Sequence, residues 1–121
     1  DPRGGNECAD APVDCARATR PWIKAFRVRA GLDLAATCAP YGAAAAWLFD
    51  TYDEQLYGGS GRSFDWDLLP AEQRRPVILA GGLTADNVAE AVARTAPYAV
   101  DVSGGIEAAK GIKDQDKMRK F

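Results

Sequence analysis

Two aspartates stand where apolar runs end: Asp50 in Trp47-Leu48-Phe49-Asp50-Thr51 and Asp101 in Ala99-Val100-Asp101-Val102-Ser103. A carboxyl group at the end of a buried strand is desolvated, which raises its proton affinity and suits it to general acid work. The competing reading of Asp50 is structural, as a loop cap or as the partner of a buried Lys24, and Asp101 reads more readily as a binding or structural group. Near these carboxylates lie three glycine clusters, each following an apolar run: Gly58-Gly59-Ser60-Gly61, Gly81-Gly82, and Gly104-Gly105 directly after Ser103. Without a Cβ, glycine lets an anion approach backbone N–H groups and tolerates positive φ. Any one pair is an ordinary turn signal. Their recurrence at equivalent ends of successive runs points to a bound phosphate. Arg62 reads as a solvated side chain.

The chain of 121 residues contains no histidine. That removes serine-histidine triads, Cys-His dyads and HExxH metal sites, so proton chemistry falls to carboxylates, cysteines or lysines. The three cysteines, Cys8, Cys15 and Cys38, are odd in number and form no CxxC pair. Neither a disulfide framework nor a zinc ribbon is indicated. All three read as small buried hydrophobes of helices, as in a reduced, cytoplasmic protein. Apolar stretches are interrupted well before the roughly 20 residues of a membrane span. A net charge of −2 gives no general field for nucleic acid or an anionic membrane.

The positioning elements follow from the pattern. Apolar or β-branched runs at residues 22–28, 45–51, 76–82 and 98–103 read as buried strands. Helical spacing separates them at residues 32–39, 66–73 and 85–95, and a helix is also expected over residues 7–17. Thr84 is a candidate N-cap for the third separating helix, and Asp114 precedes a last one. Strands alternating with helices give an α/β class with a parallel sheet buried on both faces. Residues 1–121 make one domain. Four parallel strands cannot close alone, so the sheet is either open or half of a barrel. The loop-like opening Asp1-Pro2-Arg3-Gly4-Gly5-Asn6, with Met118 as the only methionine, leads to the expectation of a longer polypeptide.

An ordered set of motifs resembles phosphoribosylanthranilate isomerase: Trp22-Ile23-Lys24-Ala25, Leu48-Phe49-Asp50, the stretch from Tyr57 through Gly59-Ser60-Gly61 to Trp66, Pro76-Val77-Ile78-Leu79-Ala80-Gly81-Gly82-Leu83, Asn87-Val88, Val100-Asp101-Val102-Ser103-Gly104-Gly105-Ile106-Glu107 and Gly111-Ile112-Lys113-Asp114. The likeness implies a (β/α)8 TIM barrel of tryptophan biosynthesis of which this chain covers the second half, strands five to eight. It implies an Amadori rearrangement of N-(5-phosphoribosyl)anthranilate without cofactor. Asp50 matches the family's acid on the furanose oxygen. Gly59, Ser60, Gly61, Gly81, Gly82, Ser103 and Gly104 match its phosphate loops, and Asp101 matches an aspartate beside the substrate. The family's base is a cysteine in a Lys-Ile-Cys-Gly type motif, which does not occur here. The chain departs from the usual Ser-Ser-Gly and Gly-Gly-Thr-Gly, with Ser103-Gly104-Gly105 and Gly59-Ser60-Gly61, but keeps small residues and a hydroxyl. An isolated half would therefore be inactive or nearly so. Its partners would be a small phosphosugar and either the complementary half barrel or, through open strand edges, a second copy. The alternatives are another phosphosugar barrel enzyme, disfavoured by the missing His and by Asp50 as the lone strong acid on its strand, or a non-catalytic phosphate-binding module.

Overall fold

The computed structural model describes residues 17–51, 66–69 and 75–121. The expected helix at 7–17, with Cys8 and Cys15, lies outside them apart from Arg17. So do Arg62 and the Gly59-Ser60-Gly61 loop.

Four strands form one parallel sheet: β1 (Ile23–Arg27), β2 (Ala46–Asp50), β3 (Val77–Ala80) and β4 (Ala99–Val100), paired in the order β1-β2-β3-β4. Neighbours in sequence are neighbours in space throughout. A sheet that grows in one direction follows barrel order, without the reversal of a doubly wound sheet. Connections between parallel strands must cross back along the sheet. Two described helices do so: α1 (Leu34–Cys38) after β1 and α2 (Val88–Thr95) after β3.

Both helices are shorter than their sequence patterns, for local reasons. Asp33 caps α1 by accepting from Ala36 N at 3.1 Å, and Pro40 turns the chain into a 3-10 segment, Ala39–Tyr41. Thr84, the expected cap, accepts from Asp86 N at 3.2 Å, but residues 85–87 make a turn, and α2 begins at Val88. It ends at Ala96, which adopts the left-handed conformation with φ 44°. Of the expected helix at 66–73, the described part is a 3-10 segment, Trp66–Leu68.

Register assigns every strand residue to a face, because paired residues of parallel strands point the same way and neighbours along a strand point oppositely. Phe26 pairs with Phe49, Phe49 with Leu79 and Leu79 with Val100. This row lies under the helices, with Phe49 and Leu79 wholly buried. Around it Phe26 packs on Phe49 and Tyr41, with centroids 5.8 and 5.5 Å apart. Trp47 Nε1 donates to Tyr41 O at 3.0 Å, so the indole is buried with its polar atom satisfied. The opposite face carries Ala25, Leu48, Ile78 and Ala99 in one row and Arg27, Asp50 and Ala80 in the next. Leu48 and Ile78 are only half-buried and Ala25 is exposed. The expectation of burial on both faces therefore holds for one face only.

The segment after β4 was not anticipated. A 3-10 turn, Gly104–Ile106, leads into an antiparallel hairpin of β5 (Glu107–Ala109) and β6 (Ile112–Lys113). Its tight connection uses Gly111 at φ 81°, and the Glu107 carboxylate accepts from Gly111 N. The final helix, α3 (Gln115–Lys120), starts as expected at Asp114, whose carboxylate accepts from Lys117 N at 3.0 Å. Among the described residues no helix is long and apolar enough to cross a membrane.

Candidate active site

A cleft of about 580 Å³ opens at the carboxyl ends of the strands, the end at which α/β sheets and barrels bind ligands. Of the residues singled out from sequence, Asp50, Gly81, Gly82, Asp101, Ser103 and Gly104 all line it, over a floor of Leu48 and Ala80. Asp50 is the last residue of β2 and belongs to the face opposite the core, so its carboxylate stands on the cleft side. It is half-buried, whereas Asp101, expected to be desolvated, is exposed.

The suggested pairing of Asp50 with Lys24 is not formed. Lys24 lies on the covered face, its ammonium 4.7 Å from the Tyr41 ring centroid and 5.7 Å from that of Phe26, a cation–π arrangement. The residue in register with Asp50 on β1 is Arg27.

The loop after β3 is held in an unusual geometry. Gly81 and Gly82 both have positive φ, 91° and 66°, which a residue with a Cβ adopts only at a cost. Two side chains brace them. Thr51 Oγ1 reaches the carbonyls of Ala80 and Gly81, at 2.9 and 3.1 Å. Asn87 Nδ2 donates to Gly82 O at 2.9 Å while its Oδ1 accepts from Thr84 N at 2.8 Å. The loop after β4 lies against the first: a Cβ on Gly105 would stand 1.8 Å from Leu83 O. Below it, Lys113 Nζ donates to Ser103 O at 3.0 Å and Lys117 Nζ to Glu107 O at 2.7 Å, so β6 and α3 tie down the second loop.

Thr84, read from the sequence only as a helix cap, also lines the cleft, as does Gly105 of the Gly104-Gly105 pair. For Gly105 a signal existed, its place in Ser103-Gly104-Gly105, but the reason for it is a contact with a distant segment. Among the described residues no group of three or more His, Cys, Asp or Glu side chains could hold a metal ion.

Cys38 lies away from the cleft chemistry. It is buried on α1 and, as expected, behaves as a small hydrophobe; burial pushes its thiol from 9.0 up to about 11. The folded chain therefore keeps the proton that the unfolded chain loses first. Stability is unaffected by this group below pH 9.0 and falls as pH rises toward about 11. Cys38 is expected to stay unmodified by a thiol reagent at pH 8 in the native protein and to react on unfolding, as read by peptide mass mapping; native-state labelling comparable to that in denaturant would contradict it.

Residues 4–121 match the family of N-(5'phosphoribosyl)anthranilate (PRA) isomerase. The chain belongs to the phosphoribosylanthranilate isomerase family. The N-(5'-phosphoribosyl)anthranilate isomerase of Chromohalobacter salexigens is 58% identical over 117 residues, covering 97% of this chain and 54% of that protein. The crystal structure of phosphoribosyl anthranilate isomerase from Thermotoga maritima matches 92% of this chain and 53% of its own, with 39% identity and a TM-score of 0.72. A phosphoribosyl anthranilate isomerase solved in complex with reduced 1-(o-carboxyphenylamino)-1-deoxyribulose 5-phosphate matches 82% of this chain and 45% of its own, at 34% identity and a TM-score of 0.58. The chain thus spans about half the length of the phosphoribosylanthranilate isomerases it matches.

Proposed function

We propose that residues 1–121 supply strands five to eight of a phosphoribosylanthranilate isomerase barrel, carrying the acid and the phosphate loops for the Amadori rearrangement of N-(5-phosphoribosyl)anthranilate. The observation that carries this reading is the single cleft in which Asp50 meets both glycine loops, after β3 and after β4. The loops hold the phosphate through backbone N–H groups, with Gly59, Ser60 and Gly61 as the third element of that grip. This fixes the ribose so that its ring oxygen faces Asp50, which gives it a proton as the C1′–O bond opens. Asp101, exposed at the cleft, contacts the substrate. Loss of the C2′ proton to a base then gives an enolamine, which tautomerises to the ketone by gaining a proton at C1′ and losing the one on the C2′ hydroxyl. The family's base is a cysteine in a Lys-Ile-Cys-Gly type motif, a sequence these 121 residues do not contain.

The remaining strands complete the barrel over the row Ala25, Leu48, Ile78 and Ala99, whose partial exposure here supports such a neighbour. Each positioned acid or base contributes roughly 10²- to 10⁴-fold. The chain alone is expected to show no measurable turnover of freshly generated N-(5-phosphoribosyl)anthranilate. Joined to the portion of the Chromohalobacter salexigens isomerase that lies outside the match, it is expected to turn the substrate over. Turnover by the chain alone, or none by a soluble joined protein, would overturn the assignment.

A further inference from the structure

The residue after the acid has no assigned part in the chemistry, yet its side chain reaches the phosphate loop. Thr51 is buried to 1% exposure, and the alternation along β2 places it with Trp47 and Phe49 on the covered side of the sheet, while Asp50 stands on the cleft side. Its N–H donates to Ala80 O at 2.9 Å, and its hydroxyl approaches both Ala80 O and Gly81 O. The Gly81 carbonyl is therefore drawn toward the covered side. No peptide bond among the described residues is cis, and in a trans peptide the N–H points opposite to the C=O. The N–H edge of the Gly81–Gly82 peptide consequently lies toward the cleft.

We propose that Thr51 is a positioning residue that aims the Gly81–Gly82 peptide at the phosphate, and that it couples the acid to the phosphate loop because it is peptide-bonded to Asp50 itself. This rests on the reading of that loop as phosphate-binding. The hydroxyl is the working atom, because so buried a site leaves water no room to replace it.

The test is titration of inorganic phosphate into the full chain, followed by the Gly82 amide resonance, for wild type, Thr51→Val, Thr51→Ser and the core control Val77→Ala. The Val variant keeps the shape and removes the hydroxyl, so phosphate affinity is expected to fall about tenfold, the equivalent of one lost hydrogen bond. The Ser variant keeps the hydroxyl and should stay within about threefold, and Val77→Ala should lower stability without moving affinity. Should Thr51→Val give no folded spectrum, Thr51→Ala carries the same comparison. Wild-type affinity in the hydroxyl-free variant, or an equal loss in Val77→Ala, would overturn the assignment of Thr51 while leaving the phosphate site standing. A wild-type chain whose Gly82 amide ignores phosphate would overturn the site and the positioning role together.

Discussion

Asp50→Asn is expected to lower isomerase turnover of the completed barrel by roughly 10²- to 10⁴-fold, with little change in the affinity for phosphate. Asparagine matches the carboxyl group in shape but has no acid proton to give to the ring oxygen. The backbone there is fixed by register, with Asp50 paired to Arg27 on one side and Ala80 on the other, so the change removes a proton donor without moving a strand. The result therefore separates chemistry from binding: kcat falls and KM stays. Steady-state turnover beside phosphate inhibition checks it. Turnover within threefold of wild type would remove Asp50 from the role of acid, and a matching loss of phosphate affinity would show that it acts through the loops instead.

Gly105→Ala has the second large expected effect, and its origin is steric. The new Cβ would meet Leu83 O at 1.8 Å, Leu83 C at 2.9 Å and Thr84 Cα at 3.2 Å. All three are backbone atoms, so no rotamer change relieves the overlap and the two loops must separate. Forced overpacking costs roughly 1–3 kcal/mol and often more where backbone has to shift. Because these loops form one wall of the cleft, phosphate affinity is expected to fall with stability. The adjacent Gly104→Ala is a stringent comparison: its Cβ would find only Glu107 Oε1, at 3.8 Å, and stability should stay within about 0.5 kcal/mol. Urea midpoints of the two variants check this; equal midpoints would refute it.

Legibility in the sequence tracked the range of the interactions involved. The alternation of apolar runs and helical spacing was enough for four parallel strands, because burial imposes that pattern residue by residue. Asp50, Gly81, Gly82, Asp101, Ser103 and Gly104 were readable as one mouth, since strand ends of a parallel sheet must share an edge. The hairpin of β5 and β6 was not readable: five strand residues, Glu107–Ala109 and Ile112–Lys113, are too few to show a period. The start of α2 was displaced by side-chain bonds that no apolar period records, because Asn87 bonds back to the adjoining glycine loop at Gly82 O and Thr84 N rather than joining the helix. The suggested Lys24–Asp50 pair failed on parity: the two residues lie on opposite faces, which only the register could settle. Thr51 read as a strand end until its hydroxyl was seen to span 30 positions in sequence to Gly81.

The pleat makes Asp50 and Thr51 a pair with opposite addresses, one for the cleft and one for the core. A deletion of one residue within Ala46–Phe49 would exchange them, sending a hydroxyl to the substrate and a carboxylate into an aromatic interior. Within β2, therefore, a change of side chain leaves the two addresses apart, whereas a change of length by one residue swaps them.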